Sequence, residues 1–246
     1  MQLTDFSTLS FDCYGTLIDW ESGIFTALAP LIARTGVRTT RNAALEIFAR
    51  LEQNQEAATP DLKYADLLAT VHDQLASEWA VAPNATESHR FGASVGDWPA
   101  FSDTAAALQY LRLHYRLVIL SNVDRDSFRA SNRRLGVTFD TICTAEDIGS
   151  YKPDPRNFAY LLEQLASQGI DRRQVLHTAQ SLFHDHAPAN AVGLASAWID
   201  RRHADTGWGA TSAPPSGVHY DFRFASLADM VAAHQAAMQP RDDANG

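Results

Sequence analysis

A short apolar run, Thr8-Leu9-Ser10-Phe11-Asp12, is the first clear pattern, and it stops at Gly15-Thr16. Its length and β-rich composition predict a strand, and the glycine marks its exit. From about Glu21 to about Trp79 the apolar residues recur at helical spacing. Ile24, Leu28, Leu31 and Ile32 form one stripe, Ala44, Ile47, Phe48 and Leu51 a second, and Leu67, Leu68, Val71 and Leu75 a third. No alternating stretch interrupts them, so a block of helices is predicted. After Trp98-Pro99 the pattern changes. Asp103-Thr104 can start a helix through Leu108 and Leu111, since both residue types suit a helix N-terminus. Leu117 to Leu120 reads as a buried parallel-type strand ending at Ser121-Asn122. Further strands are predicted at Thr141-Ile142-Cys143, Val175-Leu176-His177 and Ala195 to Ile199.

Alternating strands and helices predict an α/β fold with a doubly wound, Rossmann-like parallel sheet. The expected core domain comprises residues 1–19 and 96–246, with residues 20–95 inserted as a helical cap domain. Thr206 to Gly217, rich in Gly, Ser and Pro, reads as a loop. Gln239 to Gly246 has no apolar anchor and is expected to fray. Internal repeats, a P-loop and a dinucleotide fingerprint are absent from the sequence.

Composition and charge narrow the function. The chain has 246 residues, ordinary globular composition and a formal net charge of −9. That charge disfavours nucleic acid and anionic membranes as partners. It also requires any small anionic substrate to meet positive charge or helix N-termini gathered locally. Cys13 and Cys143 are the only cysteines, too few for a disulfide framework, so a reducing cytoplasm is expected. With no signal-like N-terminal run and no long apolar stretch, neither secretion nor membrane spanning is expected.

In a doubly wound sheet the ligand lies at the carboxyl ends of the strands. Those ends carry Asp12 and Thr16, Ser121 and Asn122, Lys152, and Asp185. Taken alone, Asp12 reads equally as a nucleophile or metal ligand and as the cap of a turn. Ser121-Asn122 reads as a turn or helix cap, and Lys152 as a solvated loop lysine. Their order along the chain is more telling. Asp12-Cys13-Tyr14-Gly15-Thr16-Leu17 resembles the first motif of the haloacid dehalogenase superfamily, and Leu120-Ser121-Asn122 the second. Tyr151-Lys152-Pro153-Asp154-Pro155 resembles the third, and Asp185 with Ala189, Ala191, Gly193 and Leu194 the fourth.

Tyr14 bears most on the branch. Phosphatases of that superfamily carry a second aspartate at this position, which protonates an alkoxide leaving group and helps hold Mg²⁺. A tyrosine suits neither task, and a halide leaves without a proton. The sequence therefore resembles the metal-free L-2-haloacid dehalogenases, with no metal and no cofactor expected. The resemblance implies that Asp12 attacks the halogen-bearing carbon to form an ester, which water then hydrolyses to a 2-hydroxy acid. The substrate would be a short 2-haloalkanoic acid, haloacetate or L-2-haloacid. It implies that Lys152 holds Asp12, that Thr16 and Ser121 position Asp12 and the substrate carboxylate, and that the Cys13 N–H helps bind that carboxylate. Tyr14 would adjoin the substrate, Asn122 would contribute to a halide cradle, and Asp185 would orient Lys152 and the attacking water. A homodimer is compatible with the resemblance.

The pattern also departs from that branch. Leu182 stands where an asparagine is usual before the last aspartate, and Phe158 where a tyrosine follows the motif-three lysine. A Trp-Arg pair for the halide is missing; Arg50 is the preferred candidate, with Arg41 in the same region. His184 and His186 flank Asp185. Two histidines without further clustered ligands do not make a metal site. His184 is instead the candidate for water activation, because an ordinary imidazole titrates near neutrality. The alternative function is hydrolysis of another small substrate, such as a phosphate monoester, on the same scaffold.

Overall fold

The computed structural model describes residues 1–36 and 38–239. The tail expected to fray therefore lies, beyond Gln239, outside the described residues. The first strand, β1 (Thr8–Phe11), is followed by five helices: α1 (Trp20–Ala27), α2 (Ala29–Thr35), α3 (Arg41–Ala58), α4 (Tyr64–Glu78) and α5 (Ala85–Ala93). Next come α6 (Thr104–Leu111), β2 (Arg116–Ser121), α7 (Arg125–Asn132), β3 (Thr141–Thr144), α8 (Ala145–Ile148), α9 (Pro155–Ser167) and β4 (Val175–Ala179). A π-helical turn at Leu182–His186 runs into α10 (Ala187–Ala191), and β5 (Ala195–Ile199), β6 (Phe222–Phe224) and α11 (Leu227–Met238) complete the order.

The six strands form one parallel sheet in the order β3-β2-β1-β4-β5-β6. The chain winds outward from β1 to β3, returns to pair β4 with β1, and winds out the other way. The reversal puts the topological switch point between β1 and β4, where such sheets bind ligands. Phe11, the last residue of β1, is in register with Ile119 on one side and Thr178 on the other. Asp12 thus emerges in the middle of the sheet's carboxyl edge.

Both faces of the sheet's centre are covered, so β1 and β4 are buried along their whole length and β2 all but its first residue. In β2, Leu117 and Ile119 join the core that also holds Leu9, Phe11 and Leu176. Val118 and Leu120 join the opposite core, with Phe158 and Leu161 of α9. Asp124 caps α7 by accepting from Ser127 N–H at 2.8 Å, and Thr144 and Asp147 form a capping box at α8.

Helix α5 and strand β6 are among the elements that the pattern reading does not place. Helix α5 is polar over most of its length, and it starts at Asn84, whose side chain accepts from the N–H groups of Thr86 and Glu87. Strand β6 is only three residues long and follows the Gly/Pro-rich loop. Among the described residues no helix is long and apolar enough to cross a membrane.

Candidate active site

The turn after β1 shapes the site. Gly15 has φ +94°, a conformation that side-chain-bearing residues rarely adopt. A Cβ there would lie 3.0 Å from Trp20 Nε1 and 3.2 Å from Gln180 Oε1. Gly15 N–H donates to Ile18 O at 2.8 Å, and Leu17 N–H to Cys13 O at 2.7 Å. This tight turn brings Thr16 back over Asp12. Thr16 Oγ1 donates to Asp12 Oδ2 at 2.7 Å, and the Gln180 N–H donates to Thr16 Oγ1 at 2.9 Å.

Lys152 reaches in from the loop before α9. Its ammonium donates to Asp12 Oδ1 at 2.9 Å, Asp185 Oδ1 at 2.7 Å and Leu120 O at 3.1 Å. An ammonium has three N–H bonds, so all are committed to the protein. Asn122 fixes the lysine from behind: its Oδ1 accepts from Lys152 N–H at 2.6 Å, and its Nδ2 donates to Lys152 O at 3.0 Å. Asp185 Oδ1 also pairs with His177 Nε2 at 2.9 Å, and His177 Nδ1 with Ser10 Oγ at 2.8 Å. The polar chain Ser10–His177–Asp185–Lys152–Asp12–Thr16 therefore runs through the buried sheet edge.

Burial pushes the Asp12 carboxyl upward; the Lys152 ammonium opposes this, while Asp185 adds to it. Burial disfavours charge on Lys152 too, but Asp12 and Asp185 outweigh that and hold the ammonium firmly protonated. Asp185 is likewise buried, yet Lys152 and His177 keep it well below the usual carboxylate range. Its Oδ2 is buried with no hydrogen-bond partner among the described residues, as is Ser121 Oγ.

The pocket over Asp12 has about 40 Å³ of free space, room for a compact ligand only. Its lining includes Asp12, Tyr14, Asn122, Lys152, His184 and Asp185 from the sheet side, and Glu52, Glu56 and Tyr64 from α3 and α4. A larger apolar cavity of about 320 Å³, lined by Thr26, Phe91 and Trp98, shares none of these residues. Tyr14 Oη hydrogen-bonds Ser131 Oγ at 2.8 Å, and its ring meets Trp98 edge-on. Cys13 is fully buried, and burial raises its thiol well above the ordinary value.

The structure thus brings Asp12, Thr16, Lys152, Asn122, Tyr14 and Asp185 together, with Ser121 buried at the adjoining strand end. Arg50 is a correction: it is exposed and pairs with Glu78 at 2.6 Å. On α3, Phe48, Glu52 and Glu56 face inward at four-residue steps, and position 50, turned about 200° from position 48, faces solvent. Arg41 lies in a neighbouring cavity with Arg201 and Arg202, separated from Asp12 by Trp20 and Gln180. His184 lines the pocket, but its Nδ1 is bound to Ser181 Oγ at 3.1 Å, and burial pushes it down to about 4, making it a weak base. His186 turns away to Ser196 Oγ and Ala179 O.

Sequence reasoning missed Glu52, Glu56, Tyr64 and His177. The glutamates had a signal: they continue the inward stripe of α3 past Phe48, where an exposed helix face would carry them elsewhere. His177, placed by the sequence only at the end of a strand, packs edge-on against Phe158 and is also the partner of Asp185.

The site thus joins an aspartate-bearing turn at a central strand end to a lysine bridging two aspartates, beneath a block of helices inserted after β1. Residues 6–178 match the family described as haloacid dehalogenase-like hydrolase, and the chain belongs to that family. Among curated proteins it is similar to (S)-2-haloacid dehalogenase 4A from Burkholderia cepacia, 24% identical over 78% of this chain and 82% of that one. Among solved structures it is similar to a defluorinating L-2-haloacid dehalogenase, with TM-score 0.75, 22% identity, and coverage of 94% of this chain and 97% of that one. The L-2-haloacid dehalogenase from Xanthobacter autotrophicus with chloropropionic acid covalently bound gives TM-score 0.75 at 17% identity, covering 94% and 98%.

Proposed function

We propose that this chain hydrolyses the carbon–halogen bond of a short 2-haloalkanoic acid, haloacetate or L-2-haloacid, through an ester on Asp12. The observation that carries the reading is the aim of Asp12. Lys152 and Thr16 fix one oxygen each, at 2.9 and 2.7 Å, so the carboxylate is held still over a pocket sized for a small molecule.

In the first step Asp12 attacks the halogen-bearing carbon, a C–O bond forms as the C–X bond breaks, and the electron pair leaves with the halide. No general acid is needed. Tyr14, where a phosphatase would need its second acid, is tied to Ser131. Ser121 Oγ, without a protein partner, remains as a donor for the substrate carboxylate. In the second step water adds to the ester carbonyl. Asp185 Oδ2 is the acceptor left for that water, while its Oδ1 stays on Lys152 and His177. The 2-hydroxy acid leaves and Asp12 is restored.

Chloroacetate and L-2-chloropropionate assayed for free halide in EDTA, beside a phosphate monoester with Mg²⁺, test the reading. Halide release that persists in EDTA and vanishes in Asp12→Asn is expected. Single turnover in heavy-oxygen water should place the label in Asp12 before product. Mg²⁺-dependent phosphate release with no halide would overturn the reading.

A further inference from the structure

The pocket has a wall that the proposed reaction does not yet use. Glu52 and Glu56 sit one turn apart on α3, only 5% and 8% exposed, and both line the pocket opposite the strand ends. Each has one oxygen engaged as an acceptor. Tyr64 Oη donates to Glu52 Oε1 at 2.5 Å, and Asn122 Nδ2 donates to Glu56 Oε1 at 3.2 Å. Among the described residues no protein donor reaches Oε2 of either.

Two carboxylates this close and this buried need cations to remain ionised. The groups facing them supply none that is free. Lys152 is the one cation among the described lining residues, and its three N–H bonds are committed. Asp12 and Asp185 add negative charge across the pocket, and Asp124 adds it beside Asn122. Burial holds the phenols of Tyr14, Tyr64 and Tyr151 neutral and pushes His184 down to about 4, so it too is neutral at pH 7.

Resting on the dehalogenase reading, we propose that Glu52 and Glu56 are the halide-binding end of the pocket, each donating a carboxyl O–H through Oε2 to the departing halide. In-line displacement sends the leaving group away from Asp12, toward the wall that α3 and α4 build. A carboxylic acid kept neutral by its surroundings is an effective donor to an anion. The arrangement takes the place of the arginine expected at Arg50. No proton is transferred: the halide keeps its electron pair and accepts two hydrogen bonds. Burial pushes Glu52 up to about 8, and burial together with Glu52 pushes Glu56 well above its ordinary value. The cradle is therefore intact below about pH 8 and lost as pH rises beyond it.

Bromide binding, followed by bromide NMR line broadening on the whole protein, tests this without turnover. In the wild type the affinity should fall at least about tenfold between pH 7 and pH 9.5 as the donors ionise. Glu52→Gln/Glu56→Gln keeps an acceptor for Tyr64 and Asn122 and an N–H for the halide. It should bind bromide with a flat pH profile, whereas Glu52→Leu/Glu56→Leu should lose binding at every pH. A flat wild-type profile, tighter binding at high pH, or a Gln pair no better than the Leu pair would overturn the proposal. Absence of halide release from chloroacetate and 2-chloropropionate would instead overturn the dehalogenase reading, so the two failures are separable.

Discussion

Lys152 stands between two buried aspartates, and its loss has two consequences that can be measured separately. Lys152→Ala leaves Asp12 and Asp185 facing each other without a cation. Removing one partner of a buried pair costs about 3–5 kcal/mol, so the urea midpoint should fall. In the proposed reaction the substrate does not use the committed N–H bonds, so the catalytic loss should appear chiefly in kcat, with KM changed less. A mutant altered only in KM would make Lys152 a substrate anchor. Glu52 gives a pH signature in stability. Its folded carboxyl is pushed up to about 8, above an unfolded value near 4.3. The folded state therefore holds a proton that the unfolded chain has released between those values. The stability contribution is full below about pH 4 and is lost as pH rises to about 8. Glu52→Gln removes that titration. Its thermal midpoint relative to wild type should climb from pH 5 to pH 8, corresponding to roughly 1–4 kcal/mol. A difference that does not vary with pH would show Glu52 to be ionised throughout.

Helices α4 and α5 meet through Gly92. A Cβ at that position would run into the backbone carbonyl of Ala65, which has no flexible end to yield. Gly92→Ala should therefore destabilise by about 1–3 kcal/mol, although alanine favours a helix in isolation. Because α4 carries Tyr64, the partner of Glu52, activity should fall along with the thermal midpoint. An unchanged midpoint would show that the two helices can separate freely. This contact also marks the limit of pattern reading. Leu67, Leu68, Val71 and Leu75 announce α4 by period alone, and Leu117 to Leu120 announce β2, because burial on one or both faces is written into the spacing of apolar residues. The close approach at Gly92 and the three-residue β6 depend on partners distant in the chain. The site divides the same way. Asp12, Thr16, Lys152 and Asp185 are recognisable because strand ends and motif order place them. His177 and the α3 glutamates were missed because their roles depend on which buried face meets which. Arg50 was misplaced because region alone does not say which side of a helix a residue occupies.

The whole chain carries a formal net charge of −9, and the proposed substrate is an anion. Approach is therefore uphill until the pocket is reached, and salt should screen the repulsion. For chloroacetate, kcat/KM should rise as sodium sulfate is added from low ionic strength, while kcat stays nearly level. A falling kcat/KM would indicate that the arginines near Trp20, including Arg41, already draw the anion in and outweigh the global field. The expected charge logic of the site is altered by the structure in the same direction. Among the described residues no guanidinium lines the pocket over Asp12, and in the proposed reading local donors, Ser121 and the α3 acids, take on the work that a cation was expected to do.

The position of β1 also governs when the protein can become active. Thr8 pairs with Arg116 on one side and Val175 on the other, so β1 waits for partners that emerge far later. Helices α1 to α6 come out of the ribosome before β2, and they can begin to coil locally while β1 is still unpaired. Contacts so far apart in sequence close slowly. Asp12, the proposed nucleophile, is thus made well before Lys152 and Asp185 and is among the last to be set in place. Regain of turnover after dilution from denaturant should lag the return of helical signal, since Asp12 cannot be aimed until β2 and β4, both from far later in the chain, have docked against β1.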